Sequence, residues 1–194
     1  MDLHQQPRQL SARYSAALEY ANELHRGQVR KATGAPYIAH LLSVSALVLE
    51  YGGDEDEAIA ALLHDSVEDQ GGSATLAQVR ARFGDRVAAI VAGCTELQWQ
   101  PGGPRWRERK EEFIARLAEA DDSVRLVVAA DKLHNTYSYL RDYARFGDEL
   151  WSRFKNGRAG LSWFVRAVWQ ALSARGELPI LRELDTVLQR LENL

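Results

Sequence analysis

Along nearly all of this 194-residue chain, apolar residues return every three or four positions. That is the period of one face of an α-helix, and it leaves little room for any other kind of fold. Tyr14, Leu18, Ala21 and Leu24 mark the first such segment. A second starts at Pro36, a residue favoured early in helices, and runs through Leu42 and Leu49 to Gly52-Gly53. Asp54 opens a third, where Glu57 completes a capping box and the acids suit the helix dipole. This helix carries Ile59, Leu62, Leu63 and Val67 and is expected to stop near Gly71-Gly72. Further helices are expected over 75–83, 85–97 and 106–118, and from Asp121-Asp122 onward. Three more pieces follow near 147–155, 160–175 and 179–193, while 98–104 reads as the clearest loop. The run 124–128 has the composition of a strand, but its apolar character continues into Ala129-Ala130, which favours helix. No stretch alternates in the manner of a strand between hairpin turns. The expected fold is all-α, one helical bundle over residues 1–194, with a motif core at about 14–140 and a helical C-terminal extension at about 141–194.

Charge and cysteine usage narrow the function classes. With 27 acidic against 24 basic residues and a net charge of −3, the chain has no global electrostatic footprint for nucleic acid. A local basic patch for a small anionic ligand remains open. The single cysteine, Cys94, excludes an internal disulfide and a Cys-based zinc site. Residues 1–7 lack the apolar run of a signal peptide, and no apolar stretch approaches the roughly 18 residues that span a bilayer. A cytoplasmic location without membrane partners is expected, as a monomer or a homodimer.

Three clusters interrupt this background. In Ala60-Ala61-Leu62-Leu63-His64-Asp65-Ser66-Val67-Glu68-Asp69, an apolar run gives way abruptly to histidine and acids. On a helix, Glu68 lies one turn after His64 and Asp69 one turn after Asp65, so all four share a broad face. Three acids beside a histidine repel one another unless a cation intervenes. The second cluster is Asp131-Lys132-Leu133-His134-Asn135, where an apolar helix again delivers an acid and Asn135 shares its face. His134 is spaced to point away from Asp131. The third is Arg30-Lys31-Ala32-Thr33-Gly34-Ala35-Pro36-Tyr37-Ile38-Ala39-His40, two cations before a turn and a histidine just inside the next helix. Taken singly, each cluster also reads as surface charge or a helix cap.

Together, His40, His64-Asp65 and Asp131 resemble the H…HD…D signature of the HD superfamily of metal-dependent phosphohydrolases. His25-Arg26-Gly27-Gln28, Arg30-Lys31, Pro36-Tyr37-Ile38, Leu62-Leu63-His64-Asp65, Val67-Glu68-Asp69 and Asp131-Lys132-Leu133-His134-Asn135 resemble, more narrowly, the hydrolase domain of stringent-response alarmone enzymes. Its single-domain members are the small alarmone hydrolases, including the metazoan SpoT homologue. The resemblance covers roughly residues 14–140. It implies an HD-domain helical bundle and one Mn²⁺ ion held by His40, His64, Asp65 and Asp131, with Fe²⁺ or another divalent metal as the alternative. It implies that Glu68 and Asp69 are the catalytic acids, and that Arg30, Lys31, Asn135 and Ser138 meet the substrate. That substrate is (p)ppGpp, which loses its 3′-pyrophosphate to give GDP or GTP.

This chain departs from the family at four points. It has one extra residue between Arg30-Lys31 and His40, Leu41 in place of proline, Gln70 in place of threonine, and Ser138 in place of a frequent threonine. Two other functions are therefore carried forward. One is the same chemistry on another phosphorylated nucleotide, such as NADPH at its 2′-phosphate. The other is a non-catalytic nucleotide-binding regulatory module. The basic run Arg105, Arg107, Arg109 and Lys110 is a further candidate contact for a distal phosphate, or simply a solvated helix face.

Overall fold

The computed structural model describes residues 9–96 and 105–194. Eleven helices are present among them, and no strand beyond an isolated antiparallel bridge between Val29 and Pro36. The run 98–104, expected as a loop, lies outside the described residues.

In chain order the helices are α1 (Ala12–Leu24), α2 (Ile38–Glu50), α3 (Glu55–Leu63), α4 (Ser66–Asp69), α5 (Gly72–Phe83) and α6 (Asp85–Cys94). They continue as α7 (Trp106–Leu117), α8 (Asp122–Phe146), α9 (Glu149–Ser152), α10 (Gly157–Ser173) and α11 (Pro179–Glu192). Side-chain caps fix several starts. Asp54 accepts from the Glu57 amide at 3.0 Å while the Glu57 carboxylate accepts from the Asp54 amide at 2.7 Å, closing the expected box. Asp121 accepts from the Val124 amide at 2.8 Å and launches α8, the 25-residue spine of the bundle. The Val-rich segment is helical, as its continuation into Ala129-Ala130 indicated.

The spine packs against α2, α3, α6, α10 and α11 around a core that includes Leu41, Ile59, Leu62, Leu63, Phe113 and Leu133. Gly93 permits the close approach of α6 to α8, because a Cβ there would lie 2.5 Å from the Val124 side chain. No helix among the described residues is long and apolar enough to cross a membrane.

Two elements differ from the sequence expectation in ways that matter to the site. The helix expected from Asp54 to Gly71 is broken at His64-Asp65 into α3 and α4. Asp65, with φ −92° and ψ −5°, stays in the α region but is displaced from regular helical values, and the Ser66 hydroxyl donates to the Leu63 carbonyl at 2.6 Å. Pro36 does not begin α2. It belongs to a tight reverse loop in which Arg30 N donates to Ala35 O at 2.8 Å and Tyr37 N to Gln28 O at 3.0 Å. This loop holds Arg30 and Lys31 beside the end of α3.

Candidate functional site

Three separate parts of the fold bring four side chains together. α2 supplies His40, the α3–α4 break supplies His64 and Asp65, and the middle of α8 supplies Asp131. His40, His64 and Asp65 each offer one ligand atom within 4.8 Å of the others. Asp131 Oδ1 joins them at 3.2 Å from His40 Nε2 and 3.7 Å from His64 Nε2. Asp65 Oδ2 lies 3.1 Å from His64 Nε2 and 3.6 Å from His40 Nε2. His64, Asp65 and Asp131 line a cavity of about 470 Å³, and buried His40 stands against them.

Both imidazoles are held by their other nitrogen. His64 Nδ1 is 2.8 Å from the Ala61 carbonyl, which can only accept, so Nδ1 carries a proton. Burial opposes a charge on this ring, but Asp65 and Asp131 outweigh it and raise its pKa, so Nε2 faces the two carboxylates as a place for a proton or a cation. His40 Nδ1 is 2.7 Å from His134 Nδ1. Burial, His40 and Arg30 push the His134 pKa down to about 3, so His134 is neutral and able to accept from His40. His40 Nε2 is then the nitrogen that faces Asp65 and Asp131. Both Nε2 atoms are buried and lack a hydrogen-bond partner among the described residues. Two bare imidazole nitrogens with outward-bonded N–H groups, beside two carboxylates, make a donor set that fits a divalent cation.

The charges agree with that donor set. Burial works against ionisation of Asp65, but His64 and His40 hold its pKa well below the ordinary carboxylate value. Burial also opposes the charge on Asp131, where Lys132, His40 and His64 outweigh it. Both acids are thus anionic.

The expected second tier lines the same cavity: Glu68 and Asp69 from α4, Arg30 and Lys31 from the reverse loop, and Asn135 and Ser138 from α8. Glu68 is exposed on an acid-rich wall of the cavity. Desolvation, Glu96 and Asp65 push its pKa up to about 7. Burial and Asp65 raise Asp69 as well, against a hydrogen bond from Gln28. Arg30 Nη2 donates to Asn135 Oδ1 at 2.8 Å, and Asn135 Nδ2 donates to Asp131 Oδ1 at 2.5 Å. The cation loop is thereby joined directly to the four-residue cluster.

Several cavity residues escaped the sequence reading. Tyr37 was noted only as part of a motif, yet its hydroxyl donates to Asp65 Oδ2 at 2.6 Å. His134 meets His40 nitrogen to nitrogen and holds that ring in place. The far wall comes from Glu96, Lys110, Phe164 and the 153–156 segment. Lys110 bonds Glu96 and sits 4.1 Å from the Phe164 ring centroid, with Lys132 at 5.0 Å from the same ring. Of the four basic residues expected in the 105–110 run, Lys110 is the one on the cavity wall. Arg105 and Arg107 pair with Glu108 and Glu111 at 3.1 and 2.8 Å.

Comparison with known proteins follows this geometry. The HD domain family model matches residues 17–162. A guanosine-3′,5′-bis(diphosphate) 3′-pyrophosphohydrolase from Aquifex aeolicus is 40% identical over 119 residues, covering 61% of this chain and 16% of that protein. The chain therefore spans about a sixth of the length of that relative. The human protein MESH1, which bears the same enzyme name, is 34% identical over 148 residues, or 75% of this chain and 77% of its own. The solved structure of a metazoan orthologue of SpoT that hydrolyses ppGpp superimposes with a TM-score of 0.78 at 28% identity. That match covers 97% of this chain and all of the other.

Proposed function

Because this chain belongs to the HD domain family, we propose that it is a metal-dependent phosphohydrolase that removes the 3′-pyrophosphate of (p)ppGpp. One observation carries the reading. Two unpartnered imidazole nitrogens and two carboxylates meet on the wall of a cavity that also holds Arg30, Lys31, Lys110 and Lys132. Similarity to enzymes named for this reaction supports the choice of substrate. The presence of Glu68 and Asp69 on that wall favours turnover over a purely regulatory module.

His40, His64, Asp65 and Asp131 would hold the cation, with Mn²⁺ or Fe²⁺ suited to a mixed imidazole–carboxylate set. When bound, it supplies Lewis acidity, polarising a phosphoryl oxygen and easing deprotonation of water. The remaining work falls to side chains of the chain itself. Glu68 orients the attacking water and takes its proton as the new O–P bond forms. Asp69 delivers a proton to the ribose 3′-oxygen as the P–O3′ bond breaks. Arg30 and Lys31 face the polyanion from the loop, and Asn135 fixes Arg30 against the cluster.

Arg30→Ala should raise KM for ppGpp about tenfold or more and lower kcat less, because a lost ground-state phosphate contact is mainly uniform binding. Steady-state kinetics on the folded variant check this. The reading as a whole is tested by comparing initial rates of the Mn²⁺-loaded protein on ppGpp, pppGpp and NADPH. The alarmones should give the highest kcat/KM. Faster release of phosphate from NADPH would assign the site to that nucleotide instead.

A further inference from the structure

The segment His25-Arg26-Gly27-Gln28 has no part in the chemistry above, yet it reaches the site. α1 ends at Leu24, and His25 caps it, buried at 3% exposure. The His25 ring stacks on Tyr37 with centroids 5.3 Å apart and planes 20° apart. Gln28 follows on the reverse loop and makes three side-chain contacts. Its Oε1 lies 2.8 Å from His25 Nδ1 and 2.8 Å from Gln70 Nε2. Its Nε2 donates to Asp69 Oδ2 at 2.7 Å.

This arrangement fixes the orientation of the amide. An amide nitrogen cannot accept from the Gln70 amide, and an amide oxygen cannot donate to a carboxylate. A flipped Gln28 would lose its contacts with Gln70 and with the Asp69 carboxylate. Gln28 is clamped from two sides, with its N–H aimed at one oxygen of Asp69. An unprotonated Oδ2 is the better acceptor for it. A proton on Asp69 therefore belongs on Oδ1, which has no hydrogen bond among the described residues. Gln70, where the resembling family has threonine, supplies half of the clamp in this chain.

We propose that Gln28, clamped by His25 and Gln70, is a positioning residue that orients Asp69 and confines its proton to Oδ1. This rests on the assignment of Asp69 as the group that protonates the leaving oxygen. Gln28 decides which oxygen presents the proton.

Two variants test the proposal in the full-length Mn²⁺-loaded protein, with Asp69→Asn measured beside them. Gln28→Leu removes the donor and both acceptor contacts at similar size. It should lower kcat about tenfold, with KM within about twofold and metal content unchanged. Gln28→Glu keeps the acceptors for His25 and Gln70 but sets a second carboxylate against Asp69 Oδ2. Like charge disfavours ionisation, so the pair keeps its shared proton to higher pH. The alkaline limb of the kcat profile should move up by about one pH unit or more. The proposal is overturned if Gln28→Leu leaves kcat unchanged, if its loss follows lost metal, or if the Gln28→Glu profile superimposes on the parent. Full kcat in Asp69→Asn would instead remove the underlying assignment, and an impaired Asp69→Asn beside an unaffected Gln28→Leu would remove the proposal alone.

Discussion

Replacing His64 by alanine should strip the protein of its metal and its turnover together. His64 is 4% exposed, and its Nε2 faces Asp65 at 3.1 Å and Asp131 at 3.7 Å, with the Nδ1 proton committed to Ala61. The variant removes one of two imidazole nitrogen donors. It also removes the group that helps keep both carboxylates ionised despite burial. Loss of several kcal/mol of Lewis-acid stabilisation corresponds to a fall in kcat of about a thousandfold or more. Asp65→Ala should behave alike and also leaves the Tyr37 hydroxyl without its acceptor. Metal content per chain, measured beside kcat, checks the account. A His64→Ala protein that retains stoichiometric metal and rate would contradict it.

Glu68→Gln should separate metal binding from chemistry. Glu68 lies outside the cluster of His40, His64 and Asp65, one turn further along the chain. Its pKa, pushed up to about 7 by desolvation, Glu96 and Asp65, suits a group that exchanges a proton near neutrality. The amide keeps the size and removes the base. A fall in kcat of about 100-fold or more is expected, with metal content and KM close to the parent. Loss of metal in this variant would make Glu68 a ligand and reassign its role.

The four-residue cluster was legible from two interruptions of apolar runs, with His40 standing out only beside them. His64-Asp65 ends an apolar run, and Asp131 ends another. A helical core that suddenly offers a charged group has few reasons to do so. The break between α3 and α4 was not legible. The helix is interrupted at Asp65 by a modest departure from regular φ and ψ within the α region, with Ser66 bonding back to Leu63, and no glycine or proline marks the place. The start of α2 was misplaced for a related reason: Pro36 suits a first helical turn equally well as a reverse loop, and only its pairing with Val29 decides. The far wall was hidden because Glu96, Lys110 and Phe164 come from three distant segments with no shared spacing. Lys110 in particular looks like its neighbours, and only the partnership with Glu96 distinguishes it from Arg105 and Arg107. The same limit concealed Gln28, whose contact with Asp69 spans 41 positions.

The bond that breaks in ppGpp identifies the reaction. Incubating the Mn²⁺-loaded protein with ppGpp and following the phosphorus resonances of the products tests it most directly. The account predicts GDP and intact pyrophosphate in equal amounts, with no release in the presence of chelator and recovery when Mn²⁺ is restored. Release of single phosphates, or ppGpp left intact beside full retention of metal, would contradict it.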